Sequence, residues 1–144
     1  AGFGTEAAKL VRVVGVNTPA TLTLASTSVN YTRGKPSVAV AGNLTIKDLD
    51  NTRLQSAQVR IIGFTPGKDQ LTAILKPGIA KSYDVNTGIL TLTGSATVAA
   101  YLAVLRSLRF SAPLDAAAGP RSIEITVNDG TDVSNTVTRT VNVA

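Results

Sequence analysis

Short runs in which apolar and polar residues alternate follow one another along most of the chain, with turn residues between them. In Gln58–Ile62, for example, Val59 and Ile61 share one phase and the longer polar side chains share the other, before Gly63 ends the run. Alternation with a period of two is typical of β-strands that bury one face. Further strands are predicted at Lys9–Val16, Thr21–Ala25, Val29–Tyr31, Val38–Val40, Leu44–Ile46, Gln70–Ile74, Ile89–Thr93, Arg109–Ser111, Ser122–Val127 and Thr136–Val143.

One segment has a different period. In Ser95–Leu108, the apolar residues Val98, Tyr101, Leu102 and Leu105 are spaced as on one face of a helix. Ser95 or Thr97 can cap the start of such a helix, since a hydroxyl oxygen can accept from a backbone N–H of the first turn. We therefore expect a short helix in a crossover between two strands.

Together these elements predict an all-β fold of about eight strands with one short crossover helix, arranged as an antiparallel β-sandwich. The turn Asn128-Asp-Gly-Thr-Asp132 between two alternating runs predicts a hairpin, because glycine tolerates the positive φ that tight turns require. A length of 144 residues favours one domain.

The composition narrows the function classes. The chain has no Cys and no His, so thiolate chemistry, zinc clusters and the commonest general base are excluded, and we expect no enzyme. The net charge of +5 suggests nucleic-acid binding, but the basic residues are scattered singly and aromatic residues are few. We therefore expect no nucleic-acid partner, and no apolar run is long enough to predict membrane insertion.

The two ends of the sequence share a pattern. Residues 12–16 and 139–143 both read Arg-x-Val-x-Val. Two β-strands can match in this way by chance. Alternatively, residues 9–16 copy the closing strand of a module, as in one unit of a tandem array, or pair with a neighbouring subunit.

From about residue 19 to residue 143, an ordered series of motifs resembles the cadherin-like tandem repeats of large bacterial surface and adhesion proteins. The series comprises Tyr31-Thr-Arg-Gly34, Leu44-Thr-Ile-Lys-Asp-Leu-Asp50, Leu54-Gln-Ser-Ala-Gln-Val-Arg-Ile61, Tyr83-Asp-Val-Asn-Thr-Gly-Ile-Leu-Thr-Leu-Thr-Gly-Ser-Ala-Thr-Val98, the helix region Tyr101–Arg109, and the closing hairpin with Ile125-Thr-Val-Asn-Asp-Gly130 and Ser134-Asn-Thr-Val-Thr-Arg139.

The resemblance implies a Greek-key sandwich of the cadherin or immunoglobulin type. It also implies a secreted or cell-surface bacterial protein in which modules act as spacers, adhesion units or fibre segments, as homo-oligomers or in tandem. We interpret residues 1–20 as an N-terminal strand and linker that pairs with a like module or subunit, and residues 21–144 as the sandwich module.

The resemblance further implies calcium where modules meet. Asp48, Asp50 and Asn51 form one oxygen-rich turn. Asn128 and Asp129, with Asp132, form a second, and Glu124 lies in the adjoining strand. If the two turns share a pole of the sandwich, their oxygens could supply several of the six to eight ligands that calcium takes. Equally, Asp and Asn are ordinary turn residues that bond to their own backbone.

Departures from the family pattern weigh against calcium. Thr18 stands where related linkers often have Asp, and Arg33 stands where the family usually has Glu. Lys47 and Arg53 flank the first acidic turn and oppose cation capture. Two alternative functions stay open: a calcium-rigidified linker, and a carbohydrate-binding accessory module that contacts cell-surface glycans. For the second, Tyr83 and Tyr101 could face a sugar, although this pattern favours packing them in the core.

Overall fold

The computed structural model describes residues 18–25, 27–48 and 53–144. Within these residues the chain forms eleven strands and one helix, which confirms an all-β fold with one short crossover helix. The predicted strand Lys9–Val16 lies outside the described residues. The elements are β1 Thr21–Thr23, β2 Val29–Tyr31, β3 Val38–Ala39, β4 Thr45–Lys47, β5 Arg53–Ile62, β6 Gln70–Thr72, β7 Ala80–Asp84, β8 Ile89–Thr97, α1 Val98–Arg106, β9 Arg109–Ser111, β10 Gly119–Asn128 and β11 Val137–Val143.

A six-stranded sheet with the order β2-β11-β10-β5-β8-β7 forms one layer of the sandwich. Its strands bury alternate residues, as the period-two pattern predicts. Val59 and Ile61 of β5 are fully buried, whereas Gln58 and Arg60 between them are exposed. The inner face of this sheet is therefore apolar, and its outer face is lined mostly by Thr, Ser, Asn and Gln side chains.

The three-stranded sheet β3-β9-β6, the pair β1-β4 and the helix α1 cover that inner face. Buried residues from both layers form one core, which extends from Ala20 to Val143. Tyr31 of β2 and Phe110 of β9 meet across it edge to face, with ring centroids 5.4 Å apart. This arrangement is the predicted sandwich.

The helix begins where the sequence suggested. Of the two predicted caps, Thr97 takes the role, because its Oγ1 accepts from the backbone N–H of Ala100 at 3.1 Å. Tyr101 is fully buried in the core, and its hydroxyl donates to the backbone oxygen of Gly94 at 2.6 Å. Gly94 has φ +125°, and a Cβ there would lie 2.0 Å from the backbone oxygen of Gly78, so only glycine fits this position.

One strand pair departs from the antiparallel arrangement that we expected. β2 runs parallel to β11, with Val29 opposite Val141 and Tyr31 opposite Val143. A parallel pair cannot be joined by a tight hairpin, and here eight strands and the helix separate β2 from β11 along the chain. This pair fixes the last residue of the chain against the end of β2.

The strand β7 was not predicted. The sequence indicated only a turn around Tyr83, because Ala80–Asp84 has no apolar alternation and its residues are mostly exposed. β7 is an edge strand that pairs on one side only, with β8. An edge strand is determined by its neighbour more than by its own side chains, which explains the missing signal.

Candidate functional site

The hairpin between β10 and β11 holds three of the predicted calcium residues in a tightly bonded turn. Oδ1 of Asn128 accepts from the N–H of Gly130 at 2.6 Å. Oδ1 of Asp129 accepts from the N–H groups of Thr131 and Asp132, each at 2.9 Å. These bonds are of the kind by which Asx residues shape turns. Two of the candidate ligand oxygens therefore hold the hairpin together.

Asn135, at the end of this hairpin, joins it to β1. Its Oδ1 accepts from the N–H of Leu22 at 2.8 Å, and its Nδ2 donates to the backbone oxygen of Leu22 at 2.9 Å. One side-chain amide thus pairs with both polar groups of one backbone residue, as a neighbouring strand would. We call the end of the sandwich formed by Asn128–Asn135 and Leu22 the hairpin pole.

Asp48, the first residue of the other predicted calcium turn, lies toward the same end. β4 pairs with β1 so that Lys47 lies opposite Thr21, and Asp48 follows directly. β5 then starts at Arg53, opposite Thr97 of β8, and the side chain of Gln55 lies beneath Gly130 of the hairpin. The strand pairing therefore brings the end of β4 and the start of β5 to the hairpin pole.

The predicted calcium ligands do not form a metal-binding cluster among the residues that the structure describes. Asp50 and Asn51 lie outside them, so two of the three residues of the first turn stay a prediction. Among residues 18–25, 27–48 and 53–144, no three acidic side chains gather closely enough to hold a metal ion. Arg53, which we expected to oppose a cation, directs its guanidinium to Ser95, donating to Oγ at 3.1 Å and to the backbone oxygen at 3.0 Å.

The opposite end of β11 forms a second pole. The backbone N–H of Ala144 donates to the oxygen of Tyr31 at 2.8 Å, and the N–H of Arg33 donates to the oxygen of Ala144 at 3.0 Å. Nη1 of Arg33 also donates to the backbone oxygen of Ala116 at 2.8 Å. We call the end formed by Tyr31–Lys35, Ala112–Ala116 and Ala144 the carboxyl pole.

An open cleft lies at the carboxyl pole, with Lys35, Lys68 and Asp115 among its lining residues. Nζ of Lys68 contacts Oδ2 of Asp115 at 2.6 Å, and this hydrogen bond lowers the pKa of the Asp115 carboxyl. Both side chains are exposed, so the pair contributes little to stability. Leu114, beside it, is 78% exposed.

A buried ion pair lies behind this pole. Arg121 of β10 is 2% exposed and Asp69 is fully buried, and Nε of the first donates to Oδ2 of the second at 2.5 Å. The remaining guanidinium N–H groups donate to the backbone oxygens of Gly119 and Ala117 and to Oγ1 of Thr65. The pair therefore fixes the two loops that precede β6 and β10.

Tyr83 adds a bond to the same loop. Its hydroxyl donates to the backbone oxygen of Asp69 at 2.6 Å. Burial raises the pKa of Tyr83 to about 12, and the carboxylates of Asp69 and Asp84 add to the shift. The neutral hydroxyl is the form that holds the loop. Tyr83 is half-buried and bonded internally, and Tyr101 is in the core, as the pattern favoured.

A second buried arginine lies on the neighbouring strand. Arg139 of β11 is 4% exposed. Its guanidinium donates to the backbone oxygen of Val40 at 2.9 Å, to Oδ1 of Asn43 at 2.8 Å, and to the backbone oxygen and Oγ1 of Thr27. It thereby ties β11 to the loops before β2 and after β3.

Sequence reasoning did not identify these two arginines, although a signal was present. In β11, Arg139 shares its phase with the buried Val141 and Val143. In β10, Arg121 shares its phase with the buried Ile123 and Ile125. A charged residue in phase with the apolar residues of a strand is expected to face the core, and buried charges need several hydrogen-bond partners.

The helix in the described part of the chain is too short to span a membrane. No family model matches the chain. The chain is 31% identical to part of halomucin from Haloquadratum walsbyi over an alignment of 122 positions that covers 81% of the chain. The chain spans about 1% of the length of that relative. Because this organism is an archaeon, the expected bacterial origin gains no support, and the chain is similar to one short segment of a very much longer protein.

Proposed function

We propose that this chain is a structural and adhesive module of an extracellular surface protein, of the cadherin-like kind, that acts by end-to-end extension and by contacts with like modules. The observation that carries the proposal is the placement of the two poles. Leu22, at the start of the sandwich, is bonded to the hairpin pole, and Ala144 lies at the carboxyl pole.

The separation between the poles follows from the length of β11. Nine residues lead from Asn135 to Ala144, and a strand rises about 3.3 Å per residue, so the poles lie roughly 30 Å apart. A chain that enters at one end of a module and leaves at the other can be repeated into a rod, whereas a module with adjacent ends would fold back. This geometry suits a spacer or a fibre segment.

The extracellular setting is part of this proposal, and the similarity to halomucin, from an archaeon, supports it. Similarity to about 1% of a relative suits one module of a long protein. We propose both that the chain is one module of a longer protein and that it adheres to neighbouring modules.

The module has no catalytic role in this proposal. The buried polar side chains Asp69, Arg121, Ser134 and Arg139 hold loops or strand ends by bonding to the backbone or to each other. The described aromatic residues are buried or half-buried, so they offer no exposed platform for a sugar. The carbohydrate-binding alternative therefore gains no support from these residues.

Beads coated with the full chain test the adhesive part. We expect them to aggregate with one another and to leave beads coated with an unrelated β-sandwich dispersed. Dispersed beads at every coating density would contradict adhesion between like modules. Labels on the exposed residues Thr21 and Ala144, with a distance measurement between them, test the extension separately, and a separation of about 10 Å would overturn it.

Residues 9–16 are the part proposed to pair with another module. Arg12, Val14 and Val16 match Arg139, Val141 and Val143, which face the core from β11. Deletion of residues 1–16, followed by sizing and thermal unfolding, is expected to reduce assembly while the sandwich itself stays folded. Unchanged assembly would reject this pairing.

A calcium-rigidified linker is a second candidate, supported by the position of Asp48 at the end of β4 near the hairpin pole, where Asn128, Asp129 and Asp132 lie. Calorimetric titration with calcium, repeated on Asp48→Asn, tests it. Heat that disappears in the variant would support the site. A chain that gives no heat and no rise in melting temperature would remove this candidate.

A further inference from the structure

Two asparagines of the chain begin an Asn-x-Thr sequence, the acceptor pattern for N-linked glycans: Asn30-Tyr-Thr32 and Asn43-Leu-Thr45. Asn30 lies within β2, where it and both of its neighbours pair with β11. Asn43 lies in the turn between β3 and β4, in which the N–H of Leu44 donates to the backbone oxygen of Ala41 at 3.1 Å. Acceptor sequences are expected on surface loops, so the structure favours Asn43 over Asn30.

The residues of the favoured sequence alternate between surface and core. Asn43 and Thr45 are exposed, whereas Leu44 between them is fully buried. Leu44 therefore anchors the turn to the core. The amide and the hydroxyl that define the acceptor pattern both face solvent.

The amide of Asn43 is oriented by the buried Arg139, whose Nη2 donates to Oδ1 of Asn43 at 2.8 Å. Because a guanidinium has only donors, the amide oxygen faces it and the amide nitrogen does not. Within residues 18–25, 27–48 and 53–144, Nδ2 of Asn43 donates no hydrogen bond. The fold thus holds the oxygen of this side chain and leaves available the nitrogen that would carry a glycan.

Asn43 lies on the side of the sandwich and belongs to neither pole. Arg139 is near the middle of β11, which leads from the hairpin pole to the carboxyl pole. The same guanidinium also binds Thr27 in the loop before β2, and β2 is the last strand at one edge of the six-stranded sheet. A glycan on Asn43 would therefore stand beside that edge.

We propose that Asn43 is an N-glycosylation site that receives an oligosaccharide from a lipid-linked donor. Nδ2 of Asn43 bonds to the anomeric carbon of the first sugar, and the bond between that carbon and the lipid phosphate oxygen breaks. The lipid phosphate leaves with the electron pair, and the amide gives one proton to a base of the host's oligosaccharyltransferase. This inference rests on the extracellular setting in the proposed function, because the acceptor pattern is used in secreted proteins.

The modified side chain keeps the bond that orders the turn. Glycosylation replaces one hydrogen of Nδ2 and leaves Oδ1 as an acceptor, so Arg139 still donates to it. A bulky, solvated oligosaccharide beside β2 would hinder the pairing of this sheet edge with another chain. Modules so modified would be kept apart at their sides, while both poles lie outside the modified turn.

Secretion of the full chain from a halophilic archaeal host, followed by glycopeptide mass spectrometry, tests the site. We expect an oligosaccharide on Asn43, and none when the chain comes from a strain that lacks oligosaccharyltransferase. Thr45→Val removes the hydroxyl of the acceptor pattern but keeps the β-branched shape, so it should abolish the modification. Thr45→Ser restores a hydroxyl and should retain it. Unmodified Asn43 in a host whose own surface proteins are glycosylated would overturn the proposal.

Asn30→Gln is the matched control, because it removes the other acceptor sequence. The glycan on Asn43 should be unchanged in this variant. A glycan on Asn30 with none on Asn43 would refute the assignment.

The bead experiment separates this site from the broader function. Beads that aggregate although Asn43 is unmodified would refute the glycosylation site and leave the adhesive function standing. Beads that stay dispersed although Asn43 carries its glycan, and also when they are coated with the unmodified chain, would contradict adhesion and leave the site standing.

Discussion

The two buried arginines occupy similar places on neighbouring strands but are stabilised in different ways. Arg121 of β10 lies opposite Val141, and Arg139 of β11 lies opposite Ile123, so both project from the same face of one sheet. Arg121 has a carboxylate partner, Asp69, at 2.5 Å. The partners of Arg139 are oxygens of the neutral residues Thr27, Val40 and Asn43.

The comparison shows that a buried guanidinium can serve two purposes in one fold. With Asp69, Arg121 forms a neutralised pair whose members depend on each other. With backbone and amide oxygens, Arg139 distributes its charge over several weaker bonds, and its planar fork holds two loops at once. We therefore expect that loss of either Asp69 or Arg121 lowers the free energy of unfolding by a large amount. Loss of one partner of Arg139 should lower it by a smaller amount, because the other partners remain.

Asp69→Ala is expected to have the largest effect. It leaves the Arg121 charge buried without its carboxylate, and breaking such a pair costs about 3–5 kcal/mol of unfolding free energy. Urea unfolding measures the loss. The double variant Asp69→Leu with Arg121→Met is the control, because replacing both members by apolar residues should recover most of the stability. A single variant within 1 kcal/mol of the parent would show that the pair is not coupled.

Arg139→Lys is expected to cost less, roughly 2–3 kcal/mol, since a lysine ammonium cannot reach all three loop residues and leaves some of their buried oxygens without a donor. Arg60→Lys on the exposed face of β5 is the matched control and should stay within about 0.5 kcal/mol of the parent. If both substitutions gave the same small change, the fork geometry of Arg139 would have no energetic role.

Asn43→Ala tests the stepwise weakening around Arg139. It removes one acceptor and leaves the bonds to Thr27 and Val40, so a loss of about 1 kcal/mol is expected, near the net value of one hydrogen bond. The same urea experiment measures it. A loss as large as that of Asp69→Ala would mean that Arg139 depends on a single partner, and the contrast between the two regions would disappear.

Tyr83→Phe should lower the free energy of unfolding at neutral pH by no more than Asn43→Ala does, about 1 kcal/mol from the lost bond to the Asp69 loop. The effect of this substitution is clearer in how stability changes at alkaline pH. Because the folded pKa of Tyr83 is raised to about 12, its contribution is complete below pH 10 and is lost as the pH rises through about 12. Melting temperatures measured from pH 9 to pH 12 should therefore fall less steeply in the variant. Parallel curves would contradict the raised pKa.

Local patterns predicted much of this fold, and tertiary contacts determined the rest. The alternation in β5 and the helical spacing around Tyr101 identified buried faces, because both depend on residues close in sequence. The parallel pairing of β2 with β11 and the strand β7 depend on distant partners. Of the candidate site, the hairpin Asn128–Asp132 was located as predicted, but no local pattern connects Asp69 with Arg121, which is 52 residues away.

The parallel pairing of β2 and β11 has a mechanical consequence. A tensile force applied between Leu22 and Ala144 runs along β11, perpendicular to the hydrogen bonds that this strand makes with β10 on one side and with β2 on the other. Bonds loaded in this direction must break together, whereas bonds at the end of a peeled strand break one by one. The last strand of the module is thus held in shear on both sides, the arrangement that best withstands pulling on a row of such domains.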